Sequence, residues 1–293
     1  MKKVVILTDS CSDLGKDIRE KYDIEHMPQT IRYEDKEMPA SLNWDLYSAK
    51  EFYDIIRKGI RIMSTQVPVA TFYEIFEKHL KEGNDIVYMG CSSALSGSVN
   101  TGKIVADELS KKYPENRIFC VDCLISGMGQ GLMTVDAAIM RNEGKSAEEI
   151  AAYFEENKLK YYEVGTIDSL TCLKMAGRVK ASAAFFGNLF GIKPIIVANN
   201  AGENAAIKKI KGWKKAIQEC VEDVKRNIVD AEHQMIAITH ADCIEDALYL
   251  KSLLEAEVKP KEIYMNFVGP CVGASTGPST LMIFYRGNKR NIQ

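Results

Sequence analysis

Hydroxyl side chains occur in three short clusters that lie far apart in the chain, each beside a predicted strand end or helix start. The clusters are residues 63–68 (MSTQVP), 91–98 (CSSALSGS) and 269–278 (GPCVGASTGP). Hydroxyls and free backbone N–H groups bind an anion without a metal or a formal positive charge. None of the clusters places a histidine or a carboxylate next to a serine, as general-base catalysis requires. The pattern therefore points first to an anion-binding site and second to a catalytic site.

Three common nucleotide-binding or catalytic motifs are missing from the sequence. No stretch matches G-x-x-x-x-G-K-[ST], which argues against a P-loop nucleoside triphosphatase. Residues 127–131 (GMGQG) are rich in glycine but lack the spacing of a dinucleotide-binding loop. Residues 90–94 (GCSSA) end in alanine, where the nucleophile elbow of a hydrolase needs glycine. The third hydroxyl cluster, with its glycines and prolines, predicts a fixed loop that closely approaches another group.

The eight cysteines are not preceded by a secretory signal, which favours reduced thiols over a disulfide framework. Cys120 and Cys123 form a single C-x-x-C pair, which suits a redox pair, half of a zinc site or two small residues at a strand end. We favour the last interpretation, because there is no second pair and the four histidines lie at no ligand spacing from the first. We therefore expect neither a metal nor a cofactor.

Length and composition are those of an ordinary globular chain. The 293 residues are enough for two domains, and 46% of them are hydrophobic while 27% are charged. The net charge of −2 gives no general attraction to nucleic acid or to an anionic membrane. No segment approaches the roughly 18 to 20 apolar residues of a membrane span. We expect a cytoplasmic monomer that binds no nucleic acid and does not insert stably into a membrane.

Strands alternate with helices in the first half of the chain. Residues 4–7 (VVIL) are a continuous apolar run, which is typical of a strand covered on both faces. Two further strands are predicted at 85–90 and 117–122, followed by helices at about 96–112 and 130–141. Three strand–loop–helix units predict an α/β fold with a parallel sheet and right-handed crossovers. Functional residues gather at the carboxyl ends of such strands, where the second hydroxyl cluster falls.

A domain boundary is predicted near residue 155. The N-terminal α/β domain, residues 1–155, contains the parallel sheet and a small insertion at about 27–42, where the hydrophobic periodicity weakens. The C-terminal α/β domain comprises residues 156–293. Its strands are predicted at 194–198, 235–239, 262–267 and 281–285. The polar tail after residue 286 is predicted to fray.

Seven segments form a series whose order and spacing are more specific than any one of them. They are residues 8–10 (TDS), 64–68 (STQVP), 92–97 (SSALSG), 122–131, 176–178 (AGR), 191–195 (GIKPI) and 269–278. Together they resemble the DegV family, the bacterial fatty-acid-binding proteins, over nearly the whole chain. The resemblance implies two α/β domains with a lipid held between them. It also implies a long-chain fatty acid whose carboxylate is presented to a partner kinase, which makes acyl phosphate for phospholipid synthesis.

The resemblance implies roles for individual residues. The hydroxyl of the family's T-S-Q motif falls on Ser64, and the last serine of its S-S-x-L-S-G motif falls on Ser96. Both are expected to hydrogen-bond the carboxylate, and Ser93 and Ser275 complete the expected carboxylate site. Arg178 is the arginine of the family's G-G-R motif and is expected near the head group, on the surface that faces the partner.

Three positions depart from the family's pattern. Ser275 stands where the family's H-T-G-P-G motif has histidine, Val67 replaces the proline after Gln66, and Ala176 replaces the first glycine of G-G-R. Lipid binding tolerates these changes better than phosphorylation does. Ser275 leaves open whether the head group is a plain carboxylate and whether phosphorylation is blocked.

An acyl chain needs an apolar tunnel, and residues 181–192 mix small with large apolar side chains. The expected lining residues are Phe185, Phe186, Leu189, Phe190 and Ile192. The same pattern suits an ordinary packed helix, and periodicity does not separate the two. Burying about sixteen carbons gains on the order of 10 kcal/mol, so the tail would supply most of the affinity and the hydroxyls would set the orientation.

Two other functions stay open on the sequence alone. A hydrolase or transferase would act through Ser93 or Ser96, with His26 or His240 as the general base. A regulatory protein would bind another amphipathic ligand, which the serine at position 275 allows. We favour the non-enzymatic acyl carrier, because the hydroxyl clusters contain no aligned base.

Overall fold

The computed structural model describes residues 2–182 and 191–293. Its strands are β1 (Val4–Asp9), β2 (Ile24–Met27), β3 (Thr30–Tyr33), β4 (Lys36–Pro39), β5 (Met63–Ser64), β6 (Asp85–Gly90), β7 (Ile118–Asp122), β8 (Tyr161–Thr166), β9 (Ile192–Ala198), β10 (Asn204–Lys211), β11 (Met235–His240), β12 (Glu262–Phe267) and β13 (Leu281–Arg286). Its α-helices are α1 (Lys16–Lys21), α2 (Ala49–Arg57), α3 (Val69–Lys81), α4 (Ser98–Lys112), α5 (Gly127–Asn142), α6 (Ala147–Asn157), α7 (Thr171–Ala176), α8 (Trp213–Asn227), α9 (Ile244–Glu257) and α10 (Pro270–Thr276). Four predicted tunnel residues lie outside the described residues: Phe185, Phe186, Leu189 and Phe190.

The first half of the chain builds a four-stranded parallel sheet in the order β2-β1-β6-β7. Strand β1 is buried along its whole length because helices cover both of its faces. Val4 and Ile6 pack with residues of α5 and α6, whereas Val5 and Leu7 pack with residues of α3 and α4. The continuous apolar run is therefore explained by burial on both faces. The predicted α/β class and the parallel sheet are confirmed.

The second half forms a six-stranded mixed sheet in the order β10-β9-β8-β13-β11-β12. Helices α8 and α9 share a hydrophobic core with this sheet. Helix α5 packs against it from the other half, with Met128 and Leu132 in one core cluster with Met282 and Phe284. The boundary predicted near residue 155 falls within α6, which ends just before β8 begins the six-stranded sheet.

The predicted insertion at 27–42 forms the β3–β4 hairpin of a small antiparallel sheet. Its third strand is β5, so that the order is β4-β3-β5 and Ile31 lies opposite Ser64. Helix α10 packs against both β5 and β3. These contacts bring the first hydroxyl cluster, in β5, next to the third cluster, in α10.

The third hydroxyl cluster is a short helix and not the loop that its glycines and prolines predict. Pro270 occupies the first turn of α10, where its missing N–H costs nothing. Gly273 lies against Tyr53, and an added Cβ would be 2.5 Å from the Tyr53 hydroxyl oxygen. The helix ends at Gly277, whose φ of +82° favours glycine. The close approach was predicted correctly, but the backbone around it is helical.

The polar tail is anchored to the protein, contrary to the predicted fraying. Arg290 is buried, and its guanidinium donates from Nη1 to the Tyr161 carbonyl (2.7 Å) and from Nη2 to the Leu124 carbonyl (2.6 Å). The carbonyl groups of Tyr161, in β8, and of Leu124, after β7, thereby gain a charged donor. The tail docks because it supplies these hydrogen bonds, which its polar composition does not reveal.

We predict that Arg290→Ala lowers the free energy of unfolding by about 3 kcal/mol, because the carbonyl groups of buried Tyr161 and half-buried Leu124 both lose a charged donor. The measurement is urea unfolding followed by circular dichroism. The neighbouring Lys289 is exposed, and Lys289→Ala should stay within about 0.5 kcal/mol of the wild type. Equal stability of both variants and the wild type would show that the docked tail contributes nothing.

Candidate functional site

A cavity of about 180 Å³ lies where the three hydroxyl clusters meet. Ser64 reaches it from β5, Ser96 from the loop before α4, and Ser275 from α10. A single buried water needs only about 10 to 15 Å³, so this space is large enough for a ligand. Three hydroxyls that are far apart in the sequence thus line one chamber.

The Ser96 hydroxyl is positioned by its neighbour Ser98. The two side-chain oxygens lie 3.0 Å apart, and the Ser98 backbone N–H donates to Ser96 Oγ at 3.3 Å. Ser98 Oγ also accepts from the backbone N–H of Val67 at 3.1 Å, which ties the second cluster to the first. The side chains of Ser64 and Ser275 make no hydrogen bond to any other described residue. Both are therefore available to a ligand.

Arg178 lies at the mouth of the cavity and is exposed. Its Nε donates to the Leu95 carbonyl at 3.2 Å, which places the guanidinium beside the second hydroxyl cluster. Ser64, Arg178 and Ser275 also line a smaller adjoining cleft of about 130 Å³, together with Arg61. These three side chains stand between the inner cavity and a cleft that opens at the surface.

Two predicted site residues lie elsewhere. Ser92 is buried and anchors its turn by donating from Oγ to the Gly202 carbonyl (2.8 Å), so the following Ser93 is exposed. Ser93 is not among the described residues that line the cavity, and its backbone N–H donates to Asp122. Ile192, the predicted tunnel residue in the described part of the chain, begins β9 and pairs with Lys211 away from the cavity.

Two buried carboxyl groups also line the cavity, and sequence reasoning missed both. Burial raises the pKa of Glu163 to about 7 and that of Asp13 well above its usual range. Asp13 Oδ1 accepts from the backbone N–H of Gly269 at 2.9 Å, whereas its Oδ2 has no partner among the described residues. Glu163 was detectable as the one charge in the strand YYEVGT.

We predict that Glu163→Gln removes a pH dependence of stability. The folded-state pKa of about 7 lies above the unfolded value of 4.5, so the folded state binds the extra proton and loses stability as the pH rises between them. From pH 5 to pH 8 the wild type should lose about 2.5 kcal/mol of unfolding free energy that the variant keeps. Urea unfolding at both pH values measures this.

The control for this experiment is Glu262→Gln, because Glu262 is exposed at the start of β12. That variant should follow the wild-type profile. If Glu163→Gln also followed it, the buried carboxyl would not carry the pH dependence.

The described residues that line the cavity include neither of the two histidines proposed as a general base. His26 Nε2 lies 3.0 Å from Ser10 Oγ, and burial lowers the pKa of His26 to about 3. His240 packs against Phe267, with ring centroids 4.6 Å apart. The described residues contain no group of three or more potential ligands that suits a metal ion.

These features are those of an α/β protein that has two large sheets, one small antiparallel sheet and an internal chamber lined by hydroxyls. The sequence model described as "Uncharacterised protein, DegV family" matches residues 3–288, and the chain belongs to the DegV family. A DegV domain-containing protein of Clostridium perfringens is 38% identical over 290 residues, which is 99% of both chains.

Two solved structures have closely similar folds. A DegV lipid-binding protein from Thermotoga maritima has a TM-score of 0.84 at 25% identity, covering 99% of this chain and 100% of its own. A DegV-family protein from Thermus thermophilus, described as binding fatty acid, has a TM-score of 0.87 at 23% identity, with 97% and 99% covered. The fold implied by the resemblance is confirmed. Among the described residues, no helix has the length and apolar character needed to cross a membrane.

Proposed function

We propose that this protein binds a long-chain fatty acid in the cavity and that Ser64, Ser96 and Ser275 hold the carboxylate. The observation that carries the proposal is the convergence of these three hydroxyls on one chamber, two of them without a protein partner in the described part of the chain. The lipid-binding relative from Thermotoga maritima, at 25% identity over the full length, supports a lipid as the ligand.

The rest of the cavity wall suits an acyl chain. Its described apolar side chains come from several elements and are Leu95, Ile167, Leu173, Ile196, Val272, Met282 and Phe284. Each buried methylene contributes about 0.8 kcal/mol, whereas each hydrogen bond to a charged carboxylate contributes about 1.5 to 3 kcal/mol. The acyl chain then provides most of the affinity, and the serines fix which end faces the mouth.

The outer cleft suits a protein that acts on the presented carboxylate. Arg61 and Arg178 line it, and Met63 and Met175 beside them are 48% and 50% exposed. Arginines attract the phosphate groups of a nucleotide, and exposed methionines are common in protein contact surfaces. We propose that a kinase docks here and phosphorylates the carboxylate, while this protein acts as a non-enzymatic carrier.

We predict that protein purified from bacteria carries one long-chain fatty acid per chain. Mass spectrometry of an organic extract from denatured protein identifies the ligand and gives its chain length and unsaturation. Protein that is empty and takes up no radiolabelled palmitate would refute the proposal. Labelling of Ser96 by a fluorophosphonate probe would favour a serine hydrolase instead.

We predict that Ser96→Ala weakens palmitate binding about tenfold, because one hydrogen bond to a charged head group is lost. Isothermal titration with delipidated protein measures the affinity. Ser93→Ala is the matched control: it removes the same atom from an exposed position in the same loop and should bind like the wild type. Equal affinities for all three proteins would exclude Ser96 from the carboxylate site.

A further inference from the structure

Three thiols from distant segments meet on the wall of the cavity. Cys11 follows β1, Cys91 follows β6, and Cys271 lies in α10; all three line the cavity and share one core cluster. Each of them is a free cysteine. The thiols of Cys11 and Cys271 donate to the same acceptor, Gln29 Oε1, at 3.3 and 3.1 Å. Two sulfurs from opposite ends of the chain thus share one oxygen.

The three thiols are not equivalent. Hydrogen bonds from Cys271 and Cys91 hold the pKa of Cys11 well below its usual range, and the pKa values of those two neighbours are raised. Cys123 and Cys220, which are buried outside the cavity, have raised pKa values because burial disfavours the thiolate. Cys11 is therefore the thiol of the cluster that gives up its proton most readily, with Cys91 and Cys271 as hydrogen-bond donors beside it. A thiolate is the nucleophilic form of cysteine.

The cavity is the route to Cys11. The residue is only 9% exposed, and it faces the chamber that the acyl chain would occupy. A reagent that reaches its sulfur must enter an apolar space, which favours an amphipathic molecule over a small hydrophilic one. This step rests on the proposed function, because it uses the same lipid cavity.

We propose that Cys11 reduces a hydroperoxide held in the cavity and then forms a disulfide with Cys271. The Cys11 sulfur attacks the outer peroxide oxygen and the O–O bond breaks. The alkoxide takes the proton that the Cys11 thiol gives up, so the lipid leaves as an alcohol. Cys11 is then a sulfenic acid. The Cys271 sulfur attacks it, the S–S bond forms, and hydroxide leaves with the thiol proton as water. The two thiols supply the two electrons that reduce the peroxide.

The disulfide would change the carboxylate site. Gln29 Nε2 donates to Ser98 Oγ at 3.4 Å, and Ser98 positions Ser96. Disulfide formation removes both thiol protons that Gln29 Oε1 accepts and leaves a buried oxygen without a donor, which is unfavourable. The Gln29 amide is then expected to reorient, which breaks its hydrogen bond to Ser98 Oγ. We infer that the oxidised protein holds a fatty acid more weakly than the reduced protein.

The test treats reduced, delipidated protein with linoleic acid hydroperoxide or with hydrogen peroxide at equal concentration. Peptide mass mapping after alkylation identifies the disulfide, and titration with palmitate measures the affinity. The wild type should yield a Cys11–Cys271 peptide, about tenfold faster with the lipid hydroperoxide because binding raises its local concentration. Excess palmitate should slow that reaction. Palmitate affinity should fall about tenfold and recover with dithiothreitol.

Cysteine variants show which thiol attacks the peroxide and which one then forms the disulfide. Cys11→Ser and Cys11→Ala should form no disulfide, and the alanine variant guards against a misfolded serine variant. Cys271→Ser should stop at a Cys11 sulfenic acid, which dimedone traps. Cys120→Ser is the matched control, because Cys120 lies on β7 outside the described lining of the cavity, and it should behave like the wild type.

The failures of the two proposals are distinguishable. A wild type that binds palmitate but forms no Cys11–Cys271 disulfide with either oxidant refutes this inference and leaves lipid binding intact. A protein that binds no palmitate refutes the proposed function. Equal rates with the two oxidants would contradict delivery through the lipid cavity, and a disulfide that forms in Cys11→Ala would contradict the role of Cys11.

Discussion

The hydrogen bonds of the buried Asp9 carboxyl group hold together the segments that carry the site. Asp9 lies at the end of β1, where Oδ1 accepts from the backbone N–H of Cys11 (2.9 Å) and from Gln130 Nε2 (3.1 Å). Its Oδ2 accepts from the hydroxyl of Tyr88 at 2.5 Å. One side chain thus joins the ends of β1 and β6 to helix α5. Asp9 is fully buried, and this burial raises its pKa to about 7.

The cavity is lined by residues of the six-stranded sheet and by the segments that follow β1 and β6. Helix α5 packs against strands of both large sheets, and the turn after β1 and helix α10 form the wall between them. The serines come from loops and short elements attached to this frame. Rigid elements therefore set the shape of the chamber, and the segments at their ends supply the polar groups.

The polar groups of the cavity divide into two kinds. Ser64, Ser96 and Ser275 are half-buried at the mouth and are neutral donors that suit an anion. Asp13 and Glu163 are fully buried, and their raised pKa values favour the protonated, neutral carboxyl groups. The free-energy cost of burying an acyl chain beside a neutral carboxyl group is lower than the cost of burying it beside a charged carboxylate. The same burial that creates an apolar chamber thus suppresses the charge of the acids that line it.

Local sequence patterns predicted most of the regular structure. Strand Asp85–Gly90 was predicted with the bounds that the structure has, and α4 and β7 differ from prediction by only one or two residues at one end. Apolar runs and capping residues act over a few neighbours, so they can be recognised without the fold. The third cluster was predicted as a loop, because its glycines and prolines are poor helix formers. It forms α10 instead, and Gly273 allows that helix to lie close to Tyr53.

Local sequence patterns are enough to predict that the three hydroxyl clusters lie beside strand ends or helix starts, and the resemblance singled out Ser64, Ser96 and Ser275. The tertiary structure brings these residues to one chamber and leaves Ser93 facing solvent. It also decided that Cys11 and Cys271 meet at Gln29, and that Arg290 anchors the tail. The reason is physical: these contacts join residues that lie far apart in the sequence. Their distances are set by how whole sheets and helices pack, which no local pattern encodes.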